Sequence, residues 1–180
     1  NELVYLRNLR KCVLKIIKIE IKRFRSINNL ILAINDLSSI ISICGANNIG
    51  KTNVLRALNL FFNPDDFNFE NDIPYLKQKT RGSAVYPEIK LTFKDTSSLV
   101  EIERAFDSDK GVVFNELKGR TAKNPENTNG RSKWNDLTDE QIKTILAKHI
   151  FFFIPAINIS FPELINKIEL THYLNSTKHD

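Results

Sequence analysis

Gly45-Ala46-Asn47-Asn48-Ile49-Gly50-Lys51-Thr52 reads G-x-x-x-x-G-K-T, the residue types and spacing that cradle a polyphosphate. The two glycines let successive backbone N–H groups point inward at one anion. Lys51 brings a point charge to the β- and γ-phosphates, and the Thr52 hydroxyl is placed to ligate magnesium. The helix that must follow turns the positive end of its dipole toward the same anion. The pattern implies ATP and Mg2+ as ligands. The loop contacts only phosphate, so it carries no information on adenine against guanine.

A phosphate loop works only between a strand and a helix. Ser39-Ile40-Ile41-Ser42-Ile43-Cys44 is a short β-branched run that predicts a buried strand entering the loop, with Cys44 a small core residue. The stretch from Thr52 to Phe62 sets Val54, Leu58, Phe61 and Phe62 on one helical face, and Asn63-Pro64 ends it.

Around this unit the chain reads as α/β. Ile17, Ile19 and Ile21 alternate with Lys18, Glu20 and Lys22, a half-buried strand closed by Arg23-Phe24-Arg25-Ser26. Asn28-Asn29 predicts a turn before a second strand, Leu30 to Ile34. Strands follow at Val85 to Phe93, Leu99 to Phe106 and Val112 to Leu117, and Lys118 to Asn135 reads as a mobile surface loop. Thr138-Asp139-Glu140-Gln141 is a capping box opening a helix. Ile150 to Ile154 reads as a strand buried on both faces, stopped by Pro155. Ser160-Phe161-Pro162-Glu163 opens a further helix. Trp134 is expected to pack near a helix start rather than to stack on a base, and the three histidines lack ligand spacing.

Composition narrows the classes. The chain has 180 residues with 42% hydrophobic, which excludes disorder. No apolar run approaches the ~20 residues of a membrane span, and no signal-peptide layout begins the sequence. Cys12 and Cys44 form neither a metal pair nor a disulfide framework, so a cytoplasmic location is expected. A net charge of +5 favours an anionic partner, to which a triphosphate contributes. Lys77, Lys79 and Arg81 form a basic cluster that could track a nucleic-acid backbone or be a solvated loop. The sequence contains no methionine, which predicts a fragment of a longer protein.

Hydrolysis demands a magnesium-binding acid at the end of a buried strand and a group to orient water. After the loop, the only four-residue apolar run of that kind ends in Pro155. An ATPase activity therefore requires a missing C-terminal half or a second chain. The alternative is a non-hydrolysing nucleotide-sensing scaffold module that regulates a partner effector.

The Ile17–Ile27 strand with its Phe-Arg-Ser ending, the Asn-Asn inside the loop and the Leu-Phe-Phe end of the helix resemble the N-terminal lobe of ABC-type ATPase heads. The likeness is to the RecF/SMC-like branch, closest to the OLD-family (overcoming lysogenization defect) nucleases and related anti-phage ATPases such as Gabija and Septu components. Phe153 to Ala156 is similar to the strand leading to that family's Q-loop. The resemblance implies a P-loop NTPase fold with a mixed central sheet and an antiparallel β-subdomain. It implies an N-terminal lobe over 1–165, with 166–180 either beginning an arm or dimerisation helix or being a truncated end. It places Gly45, Asn47, Asn48, Ile49, Gly50, Lys51, Thr52 and Asn53 around the nucleotide, and Arg25 near the nucleotide or the partner head. Thr52 would hold magnesium, as would Asn158 where many ABC heads have Gln. It implies head-to-head homodimers or higher oligomers, DNA as a partner, control of an effector or nuclease subunit, and a role in anti-phage defence or DNA repair. A Toprim nuclease follows in OLD-type members.

Overall fold

In the computed structural model, residues 14–34, 42–46, 50–74, 86–109, 112–123, 133–149, 151 and 165 are described. Their strands are β1 (Lys15–Phe24), β2 (Ile27–Ala33), β3 (Glu88–Lys94), β4 (Ser98–Asp109), β5 (Val112–Lys123) and β6 (Asn135–Asp136). The helices are α1 (Lys51–Phe62), α2 (Phe69–Asp72) and α3 (Asp139–Leu146), with a 3-10 turn at Pro64–Asp66. Backbone contacts divide the chain into two compact units, Asn1–His149 and Ile150–Asp180. Of the second, Phe151 and Ile165 alone are described.

The strands form one sheet in the order β2-β1-β3-β4-β5-β6, with every pairing antiparallel. This is the antiparallel β-subdomain expected of the fold. Alternation makes one face apolar: Ile19, Ile21, Ile89, Leu91, Phe93, Val100 and Ile102 are buried there. Helix α1 covers that face with Val54, Ala57, Leu60 and Phe61, so the buried stripe includes two residues the expected face lacked. Helix α3 covers it with Ile142. A Cβ on Gly119 would come within 2.8 Å of Ile142, so only glycine lets α3 sit this close to β5.

Helix α1 is tied to the sheet by Arg104 of β4. Its Nε donates to the Phe61 carbonyl at 2.8 Å, one of the orphan acceptors of a helix C-terminus. Nη1 donates to Asn115 Oδ1 at 2.6 Å. Burial pulls the Arg104 guanidinium below its ordinary pKa, with the charge of Asp65 opposing.

Several expectations are corrected. The β1–β2 turn is Arg25-Ser26, and Asn28 and Asn29 lie inside β2, with Lys22 opposite Asn29 and Phe24 opposite Ile27. Exposure on an edge strand lets the two asparagines stay there despite their turn preference. Lys118 to Lys123 belong to β5 rather than to a loop, because Lys118 and Arg120 face Glu103 and Glu101 across the strand pair. Asn135 and Asp136 pair as β6, and 124–132 lie outside the described residues. The polar stretch after α1 holds α2, whose Asn68 side chain accepts from the Asn71 N–H as an N-cap. Ser42, Ile43 and Cys44 are exposed and form no strand, so Cys44 is not a core residue. A strand buried on both faces needs neighbours on each side. The rest of that expected strand, 39–41, and residues 150 and 152–154 of the other expected buried strand lie outside the described residues. The Thr138 capping box is present in full, with Gln141 bonding back to the Thr138 N–H.

Candidate nucleotide site

The site is built on the N-terminus of α1. Gly50 is the N-cap, with a left-handed φ of 98° that L-residues rarely adopt, and it offers no side-chain cap. The first intrahelical bond is Asn53 N–H to Gly50 O, at 3.0 Å. The N–H groups of Lys51 and Thr52 precede it and point out of the helix end. No acidic residue stands in the first turn. Four features thus agree: N–H donors at the helix end, a dipole end, no acidic residue in the first turn, and no Cβ at residue 50.

Lys51 Nζ donates to the carbonyl oxygens of Gly45 at 2.8 Å and Ala46 at 2.5 Å. The ammonium therefore spans the two ends of the loop. Neutral carbonyls are weaker partners than phosphate oxygens, so an arriving anion would displace them. Thr52 is exposed, leaving its hydroxyl accessible to a metal. The donor set fits a triphosphate, and it fits a magnesium ion that keeps most of its waters and takes one protein ligand.

Beside the loop lies a groove of about 400 Å³. Ile27, Leu30, Leu32, Ile43 and Val54 give it an apolar wall; Ser26, Asn28 and Asn29 add polar groups. Gly50 and Lys51 line the same groove, so the phosphate cradle and the apolar wall are continuous. That size and mixture suit a small-molecule ligand with a ring at one end.

The structure brings Gly45, Gly50, Lys51, Thr52 and Asn53 together. Asn47, Asn48, Ile49 and Asn158 lie outside the described residues, as do Lys77, Lys79 and Arg81. Arg25 immediately precedes the groove-lining Ser26, and its Nε donates to Asp72 Oδ1 at 2.9 Å. Sequence reasoning missed Ser26 and Asp72. Ser26 Oγ accepts from Asn53 Nδ2 at 2.8 Å, and it would stand 3.1 Å from a Cβ on Gly50. Asp72 is completely buried. The only advance signal for Asp72 was the Asn68 cap pattern, which places a helix but not a buried carboxylate.

The outer sheet face bears on nucleic-acid binding. Lys18, Lys22, Lys90 and Arg120 stand 2.8, 3.1, 3.3 and 2.6 Å from Glu20, Glu88, Glu103 and Glu101. This face is a charge-balanced lattice, not a basic stripe. Burial raises the Glu88 carboxyl, but hydrogen bonds from Lys22 and Arg23 outweigh it and hold the group below the usual glutamate value. Trp134 lies under the Arg120 guanidinium, 4.5 Å from its carbon, and so packs on the protein.

A glycine-shaped, uncapped helix entrance behind an antiparallel sheet, with a lysine at its first position, defines a P-loop ATPase fold. Residues 14–178 match the sequence model of the AAA ATPase domain, and the chain belongs to that family. No curated protein matches it. Among solved structures, an SMC ATPase described for ATP-driven dimerization and DNA-stimulated activation is similar at 19% identity and a TM-score of 0.45. The alignment covers 92% of this chain and 99% of that one. The family match, not this neighbour, carries the assignment. No helix among the described residues is long and apolar enough to cross a membrane.

Proposed function

We propose that this chain is the ATP-binding head of an ABC-type ATPase of the OLD/RecF/SMC-like kind. One observation carries the reading: the α1 entrance, with its helix-end N–H donors, Gly50 and Lys51, opens into the apolar groove beside β2. Phosphates lie on the entrance, and the nucleoside lies along Ile27, Leu30 and Val54. Thr52 would hold a magnesium ion, which would screen the phosphate charge. Among the described residues the groove's lining holds no carboxylate, and hydrolysis would be completed by a further segment or a second head. Two heads close on the nucleotide, ATP favours the closed pair, and closure controls DNA binding or a nuclease effector. The N-terminal lobe of such a head is proposed to span residues 1–165. Anti-phage defence or DNA repair is the setting that fits.

A second reading is a non-hydrolysing sensor that regulates a partner, in keeping with the lack of a carboxylate among the described lining residues. Calorimetric titration with Mg-ATP tests what both share. Lys51→Ala is expected to lower affinity at least about a hundredfold with an unchanged circular dichroism spectrum. Equal affinity in wild type and variant would remove the loop from the account. Release of phosphate by the wild type separates the ATPase from the sensor.

A further inference from the structure

We propose that Asp72 is a positioning residue for the phosphate loop, acting through the Arg25-Ser26 turn; this rests on the nucleotide reading above. Asp72 is 0% exposed and lies far along the chain from the turn it holds. Its Oδ1 accepts from Arg25 Nε at 2.9 Å and stands 2.8 Å from Arg25 Nη2. Its Oδ2 accepts from the Asn68 N–H at 2.8 Å. Its backbone carbonyl accepts from the Arg25 N–H at 3.0 Å. The turn is therefore clamped at main chain and side chain by one residue.

The residue types chosen argue for more than a turn. Arg25 has a φ of 51°, a left-handed conformation at which glycine is the economical choice. An arginine is kept there, and its guanidinium is used. A buried carboxylate is costly to desolvate, and apolar residues of like volume stabilise as well or better. What the ion pair adds is a unique placement of the next residue, Ser26.

Ser26 is the residue that touches the loop. Its hydroxyl accepts from Asn53 and closes over the space where residue 50 would carry a side chain. Helix α1 meets the same assembly one turn later. Arg56 lies three residues after Asn53 on the same face, with Nη2 at 3.7 Å from Asp72 Oδ2 and donating to the Asp66 carbonyl at 2.8 Å. Its Nε is buried with no hydrogen-bond partner among the described residues. One carboxylate thus faces two guanidinium groups, one on the turn and one on the loop's helix. Asp72 sets Arg25, Arg25 sets Ser26, and Ser26 with Asn53 fixes the Gly50 hinge that aims the Lys51 and Thr52 N–H groups.

The test measures affinity for a fluorescent ATP analogue with magnesium, and thermal stability, on the full chain. The proteins are wild type, Asp72→Asn, Ser26→Ala, their double variant, and Lys51→Ala. Asp72→Asn keeps the shape and removes the charge; it is expected to weaken binding about tenfold in the folded protein. Ser26→Ala is expected to weaken it by less, and the double variant to lose no more than Asp72→Asn alone. A lower melting temperature with unchanged affinity would make Asp72 merely structural and overturn the proposal. Additive losses would overturn it as well, because the path would not run through Ser26. Tighter binding in Asp72→Asn would also overturn it, since it would mean that Asp72 withholds Arg25 from the phosphates. Should Asp72→Asn fail to fold, Arg25→Lys decides. It keeps the charge but loses the two-nitrogen grip on Oδ1, and unaltered affinity would again overturn the proposal. If the wild type binds and Lys51→Ala does not, the nucleotide reading stands and the Asp72 variants are judged alone. If the wild type does not bind, both readings fall.

Discussion

The antiparallel sheet and the phosphate-loop segment of this chain are held in opposite ways. In the sheet, Ile21, Ile89, Leu91, Phe93 and Ile102 are 0% exposed, and β1 to β5 are joined edge to edge by antiparallel pairing. In the loop segment, residues 42–46 are all exposed, and Lys51 reaches back to two of their carbonyls. Side-chain burial specifies the first region. Backbone donors and one cation specify the second, and both are left available for a ligand. The lesson is a division of labour: the sheet and the α1 face anchored by Arg104 carry stability, so that the helix entrance can remain unsatisfied.

That division can be broken by experiment. The largest effect on stability belongs to the sheet. Phe93→Ala empties a fully buried site and is expected to cost about 3–5 kcal/mol in urea unfolding, with nucleotide affinity of the folded protein unchanged. A parallel loss of affinity would show that the two regions are not separable. Next comes Gly50→Ala. A Cβ forced into φ 98° near Ser26 is expected to cost only about 1 kcal/mol of stability, yet to weaken Mg-ATP binding by about tenfold or more. Comparing denaturant midpoint with titration affinity checks the pair; a large stability loss with normal binding would invert the comparison. The smallest effect is electrostatic. Glu20 sits below the usual glutamate value, chiefly through its hydrogen bond from Lys18. Asp95 does so because the N–H groups and hydroxyls of Ser97 and Ser98 outweigh its burial. With Glu88, these carboxylates are more acidic folded than unfolded. Their contribution is fully present above the ordinary carboxylate range and is lost as pH falls through and below it. Partly exposed groups of this kind contribute a fraction of a kcal/mol each. Unfolding midpoints from pH 6 down to about pH 3 should therefore fall gradually.

Much of this contrast was legible in the residues. Period-two alternation from Ile17 to Lys22 and from Ile89 to Phe93 announced β1 and β3, and Thr138 with Gln141 announced α3. The phosphate cradle was legible because its chemistry is local: glycines, lysine and threonine act within eight consecutive residues. What escaped was non-local. Lys118 and Arg120 look like loop charges until Glu103 and Glu101 are placed opposite them. Asn28 and Asn29 look like a turn until Arg25 takes a left-handed conformation and Asp72 clamps it. Asp72 looks like one acid in an acidic stretch, and only tertiary packing reveals its burial. Cys44 looked like a core residue because an apolar run alone does not say whether neighbours cover it.

The central claim is that the α1 entrance binds the phosphates of a nucleotide while the sheet stands aside. Backbone amide NMR during titration with Mg-ATP reads it directly. The amides of Gly50, Lys51 and Thr52 are expected to shift downfield with one saturation curve, while those of Leu91, Phe93 and Ile102 stay fixed. Movement of the sheet amides with silence at Gly50 to Thr52 would contradict the account.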